Sequence, residues 1–243
     1  MKIYIIVEAR MTSKRLPGKV LMKVNNKTFF EILINRLRKV NKISNIVLAT
    51  TTNKQDDILV NMASKLKLKV FRGSENKVVK RVLDASKKFN VDVIVGITAD
   101  CPLIDPEIVS NLIDTYLNNE VDYVSNGHIR SYPDGMDCQI FSKKVLKKSY
   151  RLIKSLPEQE HLGLSIRNNP KVFKKFTLIA PKSLQWPELG LTLDEKDDYK
   201  FLKLIINRFK KKKFFSCLDI INFLKKNDHL LKINSHVKRK GDN

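Results

Sequence analysis

"VDVIVGITAD", Val91 to Asp100, runs directly into "CPLIDPEI", Cys101 to Ile108. Val93, Ile94, Val95 and Ile97 make a near-continuous apolar run. A strand with one wet face alternates apolar and polar residues. A run of this kind belongs to a strand buried on both faces, as in a parallel sheet covered by helices. It stops at Asp100, in the first loop position. Asp105 then stands where a helix needs its N-cap, with Pro106 at the first helical position and Glu107 in the first turn. The stretch therefore spells strand, short loop and helix, the repeating unit of an α/β fold.

The same unit recurs outward in both directions. Ile3–Val7 reads as a strand, and Thr28 opens a helix with Glu31 completing a capping box and Phe30, Leu33, Ile34 and Leu37 on one face. Asn45–Thr52 is a second buried strand, followed by an amphipathic helix from about Gln55 to Leu66. "LKVFRG" is a third, short strand before a helix over Glu75–Phe89. Val121–Asn126 is another strand. The second half is less regular: a loop and short strand over Gly127–Ser142, helical stretches at Lys143–Ser155 and Pro157–Arg167, strands in "VFKKFTLIA" and "LGLTLD", and helices from about Glu195 to Phe209 and Ser216 to Lys226. No linker or internal repeat divides the chain. We expect one domain over 1–226, with a part inserted at about 127–190, and a basic, polar tail over 227–243 whose last residues, "INSHVKRKGDN" from Ile233, are loose. In such a sheet the active residues sit in loops at the carboxyl ends of the strands.

The 243 residues can bury a sizeable core, and no apolar run is long enough to span a membrane. Glu8 and Arg10 interrupt the N-terminal apolar stretch too early for a secretory signal, so it reads as the first strand of a cytoplasmic protein. Cys101, Cys138 and Cys217 lack the spacing of a disulfide framework or zinc site. The formal net charge is +22, but 36 of the 47 basic residues are lysines and no nucleic-acid motif accompanies them. Base readout and bidentate phosphate clamps favour arginine, so lysine-rich composition accounts for the charge better than a nucleic-acid partner does.

The loop after the first strand, "EARMTSKRLPGKVL", places Arg10, Ser13, Arg15 and Lys19 within ten residues, with Pro17-Gly18 fixing a bend. It is neither a P-loop nor a dinucleotide fingerprint. Its spacing suits a multiply charged anion, the alternative being a solvated basic loop. Asp100 suits Mg²⁺ or, equally, a turn cap. Asp194 ends a second apolar run, "LTLD". A basic loop with two strand-end carboxylates is the inventory of a Mg-nucleotide site. Among lesser candidates, His161 divides evenly between a structural and a functional role. Trp186 fits the core better than an acceptor pocket, and "RFKKKKFF" (Arg208–Phe215) reads as a solvated turn between helices.

In order, "EARMTSKRLPGKVL", "FRGSENKVVKR", "TADCPLIDPEIV", "YPDGMDCQIFS", "EQEHLGLSIRNNP" and "LTLDEKDDY" resemble the bacterial cytidylyltransferase family that includes spore-coat polysaccharide biosynthesis proteins and synthetases of CMP-linked acidic sugars. The match spans about Met1 to Phe209. The resemblance implies a three-layer α/β/α nucleotide-diphospho-sugar transferase fold, Rossmann-like, with a mostly parallel sheet and a small inserted subdomain. It implies that Ala9, Arg10, Ser13, Arg15, Lys19, Ser74, Arg81 and Asp100 face CTP, that Arg15, Lys19 and Asp100 are catalytic, and that Asp100 and Asp194 hold Mg²⁺. Tyr132, Asp134, Asp137, Gln139, Glu160 and His161 would face a small anionic acceptor, and related synthetases pair as homodimers. Four departures bear on the acceptor: Glu8 where many members have Gln, Gln139 where Glu is usual, Gly163-Leu164-Ser165 in place of Thr-Pro-Tyr, and an "ENK" after Gly73-Ser74 that is less acidic than usual. An acidic sugar and a phosphorylated or phosphonate acceptor both remain open, beside a non-catalytic basic domain, which the intact Arg10, Arg15, Lys19, Asp100 and Asp194 argue against.

Overall fold

The computed structural model describes residues 1–239. Its strands in chain order are β1 (Ile3–Glu8), β2 (Lys23–Val24), β3 (Lys27–Thr28), β4 (Asn45–Thr51), β5 (Lys69–Gly73), β6 (Val93–Thr98), β7 (Tyr123–Ser125), β8 (Gln139–Ser142) and β9 (Lys175–Thr177). β2 and β3 form a small hairpin, and the rest make a seven-stranded sheet in the order β5-β4-β1-β6-β8-β7-β9. Only β8 runs against its neighbours; β1, β4, β5 and β6 pair in parallel, as do β7 and β9. The sheet is therefore mostly parallel, as expected.

Alternation along β1 shows why helices must cover both faces. Ile3, Ile5 and Val7 enter one core, while Tyr4 and Ile6 enter the other. The first core is closed by α1 (Phe29–Leu37), α2 (Asp57–Lys65), α4 (Pro106–Asn118), α8 (Lys196–Arg208) and α9 (Cys217–Lys225). The second is closed by α3 (Val78–Lys88), α5 (Lys143–Tyr150) and α7 (Leu164–Arg167), with Leu162 entering it from the link between α6 (Leu156–Glu160) and α7. Each large apolar side chain fully buried in these layers contributes roughly 1.5–3 kcal/mol. The helix starts match their sequence signals. Thr28 Oγ1 accepts from Glu31 N–H at 3.1 Å while Glu31 accepts from Thr28 N–H at 2.6 Å, and Asp105 accepts from Glu107 N–H at 3.0 Å.

Three expectations are corrected. "LGLTLD" is not a strand; its one ladder contact is a bridge from Asp134 to Gly190. Pro157–Arg167 is not one helix: His161 turns extended and ends α6 at Glu160, and α7 starts afresh after Gly163 at φ 82°. The last residues are not loose from Ile233 through 239: Ile233 ends a 3₁₀ turn over Asp228–Ile233 and packs on the first core, and Asn234 and Val237 are buried. The rest of that expected tail, 240–243, lies outside the described residues. The turn containing Lys210–Lys213 behaves as read, with Phe209 and Phe215 stacked at 4.7 Å. Trp186 packs on the first core. Among the described residues no helix is long and apolar enough to cross a membrane.

A candidate nucleotide and acceptor site

The carboxyl ends of β1 and β6 lie side by side, Glu8 opposite Thr98, and the loops that follow them converge. The first loop turns back on itself through Gly18, whose φ of 71° is costly for other residues and whose N–H donates to Met11 O at 3.0 Å. That bend drives Lys19 inward, where it is 8% exposed. Its Nζ donates to Asp100 Oδ2 at 2.8 Å and Asp194 Oδ1 at 2.9 Å. Arg15 Nη2 reaches the same Asp194 oxygen at 2.8 Å. Burial works against the Lys19 charge, but the two carboxylates outweigh it and hold the ammonium above its ordinary pKa. Burial likewise opposes charge on Asp100, yet Lys19 and the Thr98 hydroxyl, 2.6 Å from Oδ1, keep it below the usual carboxylate value. Four residues predicted from sequence thus form one cluster: Arg15, Lys19, Asp100 and Asp194.

The rest of the loop after β1 is tied down by carboxylates that sequence reading missed. Glu75 accepts from Arg10 Nη1 at 3.1 Å, from Asn53 Nδ2 at 2.6 Å and from the Thr12 hydroxyl. Buried Asp56 accepts from Met11 N–H at 2.7 Å and from Thr50 Oγ1 at 3.0 Å. Arg81 is not open to a ligand; it is 3% exposed and donates to the backbone carbonyls of Ser74 and Glu75 at 2.6 and 3.3 Å, so it holds that loop from behind. Ser74 is exposed and accepts from Lys77 N–H. Ala9 is buried beside β4, and Ser13 lies half-buried in the loop.

Beside this cluster opens a cavity of about 290 Å³. Glu8, Gly96, Thr98 and Gln139 lie along it from the ends of β1, β6 and β8; Asp134, Asp137, Thr192 and Asp194 line it too, as do Glu160 and His161 at the end of α6. Arg15, Arg130 and Arg167 contribute positive charge. Five of the six predicted acceptor residues therefore converge. Tyr132 does not: it is 6% exposed within the first core. Gln139 Oε1 accepts from Tyr123 Oη at 3.0 Å, and a Cβ on Gly163 would come within 2.2 Å of that oxygen. The Gly163 departure therefore has a physical reason, since only glycine leaves room for the Gln139 amide. Burial is the main cause that raises two cavity carboxyls. Glu8 rises to about 7, Arg81 opposing and Asp100 adding to the effect. Asp137 also rises to about 7, with the neighbouring Asp134 charge as its second cause.

Two carboxylates within 3 Å of one ammonium are a donor set for a hard cation that completes its shell with substrate oxygens. No cluster of three or more metal-ligating side chains exists among the described residues. Asp100 and Asp194 thus fit Mg²⁺ carried on a polyphosphate, and do not fit an all-protein cage.

Behind the cluster, Asp198 accepts from Asp194 N–H at 3.0 Å and Glu195 N–H at 2.9 Å, capping α8 and fixing the Asp194 backbone. Asp198 and its partner Arg239 were invisible in sequence, lying in a run of charges and in the expected tail.

The family model described as Cytidylyltransferase matches residues 4–231. An uncharacterized protein of Methanocaldococcus jannaschii is 38% identical over 99% of this chain and 97% of its own length. The spore coat polysaccharide biosynthesis protein SpsF of Bacillus subtilis is 32% identical over 93% of this chain and 95% of its own. A solved cytidylyltransferase from Leptospira borgpetersenii superposes with a TM-score of 0.91 at 34% identity, covering 98% of this chain and all of that one.

Proposed function

This chain belongs to the cytidylyltransferase family, and from that footing we propose that it is a cytoplasmic, Mg²⁺-dependent enzyme transferring CMP from CTP to an acidic sugar of the nonulosonic-acid type, with release of pyrophosphate, for surface-glycan assembly. The observation that carries this reading is Lys19 held between Asp100 and Asp194, two carboxylates that line the cavity. In the described structure these cations and carboxylates neutralise one another. An arriving triphosphate offers Arg10, Arg15 and Lys19 oxygens of higher charge density, and arginine forks and a lysine point charge are the groups that hold phosphates.

The acceptor oxygen attacks the α-phosphorus, the bond to the bridging oxygen of the β-phosphate breaks, and pyrophosphate leaves. Arg15 and Lys19 stabilise the charge that accumulates on the leaving group, a preorganised electrostatic contribution. Mg²⁺ bound through Asp100 and Asp194 supplies further neutralisation of the phosphate oxygens. The acceptor hydroxyl proton passes to a cavity carboxylate; Glu8 and Asp137, near 7, are each partly ionised at neutral pH and matched to that task.

The balance of charge in the cavity favours an acidic sugar over a phosphorylated acceptor. Glu8, Asp134, Asp137 and Glu160 line it with Arg15, Arg130 and Arg167. Such a mixed wall suits hydroxyls and a single carboxylate better than a dianion. Edge strand β9 exposes Phe176 (40%), and Ile179 follows it at 46% exposure, which supports pairing of two copies through the part inserted after mid-sheet. To test the reading, the protein is incubated with CTP and Mg²⁺ against a panel of 2-keto sugar acids, phosphorylated sugars and phosphonates. Pyrophosphate release and a CMP phosphodiester with the sugar acids are expected. Release with phosphorylated acceptors alone overturns the acceptor class, and no release with any acceptor overturns the transferase reading.

A further inference from the structure

We propose that Arg239 is a positioning residue of the transfer site, carried there by a C-terminal strap that braces the nucleotide side and the acceptor side together. The strap begins at Asn234, whose Nδ2 donates to Gly190 O at 3.1 Å and to Asp198 Oδ1 at 2.9 Å. Lys238 O accepts from Arg15 Nη1 at 3.3 Å. Arg239 then lays its guanidinium over Gly190: Nη2 donates to Asp198 Oδ1 at 2.7 Å, Nη1 to Thr192 Oγ1 at 3.0 Å, and Nε stands 3.7 Å from Asp134 Oδ2. Thr192 in turn donates to Asp134 at 2.9 Å.

Asp198 is fully buried, and its other oxygen holds the backbone N–H groups of Asp194 and Glu195. A fully buried carboxylate is stable only when paired and hydrogen-bonded, so the guanidinium fixes Asp198, which fixes the backbone that aims Asp194. The same group neutralises Asp134 on the cavity wall. Arg239 touches neither the cavity nor the reacting atoms by this account; it acts through Asp194 and Asp134. Outer-layer partners of metal-binding carboxylates typically change affinity or activity by about 10–100-fold when removed.

The inference rests on the reading of Asp194 as a group that holds the metal of CTP. Calorimetric titration of CTP with Mg²⁺ tests both. Arg239→Ala should weaken CTP about tenfold, and ethylguanidinium in the buffer should restore most of the loss. Gly190→Ala supplies a second route, because the three atoms nearest its Cβ all belong to the Arg239 guanidinium, Nη2 at 2.0 Å, so the substitution evicts the guanidinium without removing it. It should reproduce the Arg239→Ala defect, and the double variant should be no weaker than either single one. Wild-type affinity in Arg239→Ala overturns the inference and leaves the CTP reading standing. A loss that follows the unfolded fraction and does not respond to ethylguanidinium makes Arg239 structural and also overturns it. Wild-type protein that binds no CTP overturns the reading and the inference together.

Discussion

Lys19→Ala leaves Asp100 and Asp194 facing the space their shared cation filled. Removing one partner of a buried pair costs about 3–5 kcal/mol, most of it the desolvation of the charge left behind. The Lys19 side chain is 9% exposed and that of Asp194 12%, but Asp100 is 27% exposed and water relieves part of its cost. The lower end, ~3 kcal/mol, therefore applies, equivalent to a fall of roughly 6–12 °C in Tm for a domain of this size. Mg²⁺ should act in opposite proportion to the damage: in the wild type it must compete with the ammonium, whereas in the variant it meets Asp100 without its cation and Asp194 held by Arg15 alone. Thermal unfolding with and without Mg²⁺ should show a larger metal-induced rise for Lys19→Ala than for the wild type, even though turnover falls by about 10²–10³ through loss of leaving-group stabilisation. A variant that melts with the wild type, or gains nothing extra from Mg²⁺, refutes the picture of one cation shared by two metal-binding carboxylates.

Glu8→Gln tests the raised carboxyl at the cavity floor. The folded protein keeps a proton on Glu8 up to about 7 that the unfolded chain releases near 4.5, so stability drains as pH climbs through that window. The Gln variant should lose less stability between those values than the wild type, and parallel melting curves across them would contradict the assignment. Glu75→Gln has the opposite sign. Hydrogen bonds, the Thr12 hydroxyl foremost, hold that carboxyl below its ordinary value, so the variant should be about 1–2 kcal/mol less stable at neutral pH, with the gap closing as acid protonates the wild type. Gly163→Ala should cut turnover by disturbing Gln139 and straining a φ of 82°, whereas Leu164→Ala beside it should not; equal effects would remove the steric argument.

The three-layer frame was legible because its signals are local. The β6 run, the Thr28–Glu31 box and the Asp105–Pro106 cap each act within a few residues, and each appears where expected. The carboxylate cluster was legible for a related reason: Asp100 and Asp194 both end apolar runs, and burial of those runs brings their last residues to one place even though "LGLTLD" forms no strand. What stayed hidden depends on long-range contact. Glu75 meets Arg10 across 65 residues and Arg239 meets Asp198 across 41, and no spacing rule links such pairs. Tyr132 was misplaced because its neighbours in "SYPDGMDCQ" do reach the cavity while its own ring turns into the core. Arg81 and Lys19 look alike in sequence as basic residues near a glycine. Only the fold shows that one is walled off at 3% exposure behind Ser74 and the other faces two carboxylates.

In the proposed reaction Asp100, Asp194 and Lys19 together carry CMP transfer from CTP. Phosphorus NMR of CTP, Mg²⁺ and a 2-keto sugar acid, run with wild type and Asp100→Asn side by side, tests it most directly. The wild type should convert CTP to pyrophosphate and a CMP phosphodiester. In Asp100→Asn, which keeps the shape but loses the charge shared with Lys19, both resonances should vanish. A variant that forms the phosphodiester at the wild-type rate would contradict it.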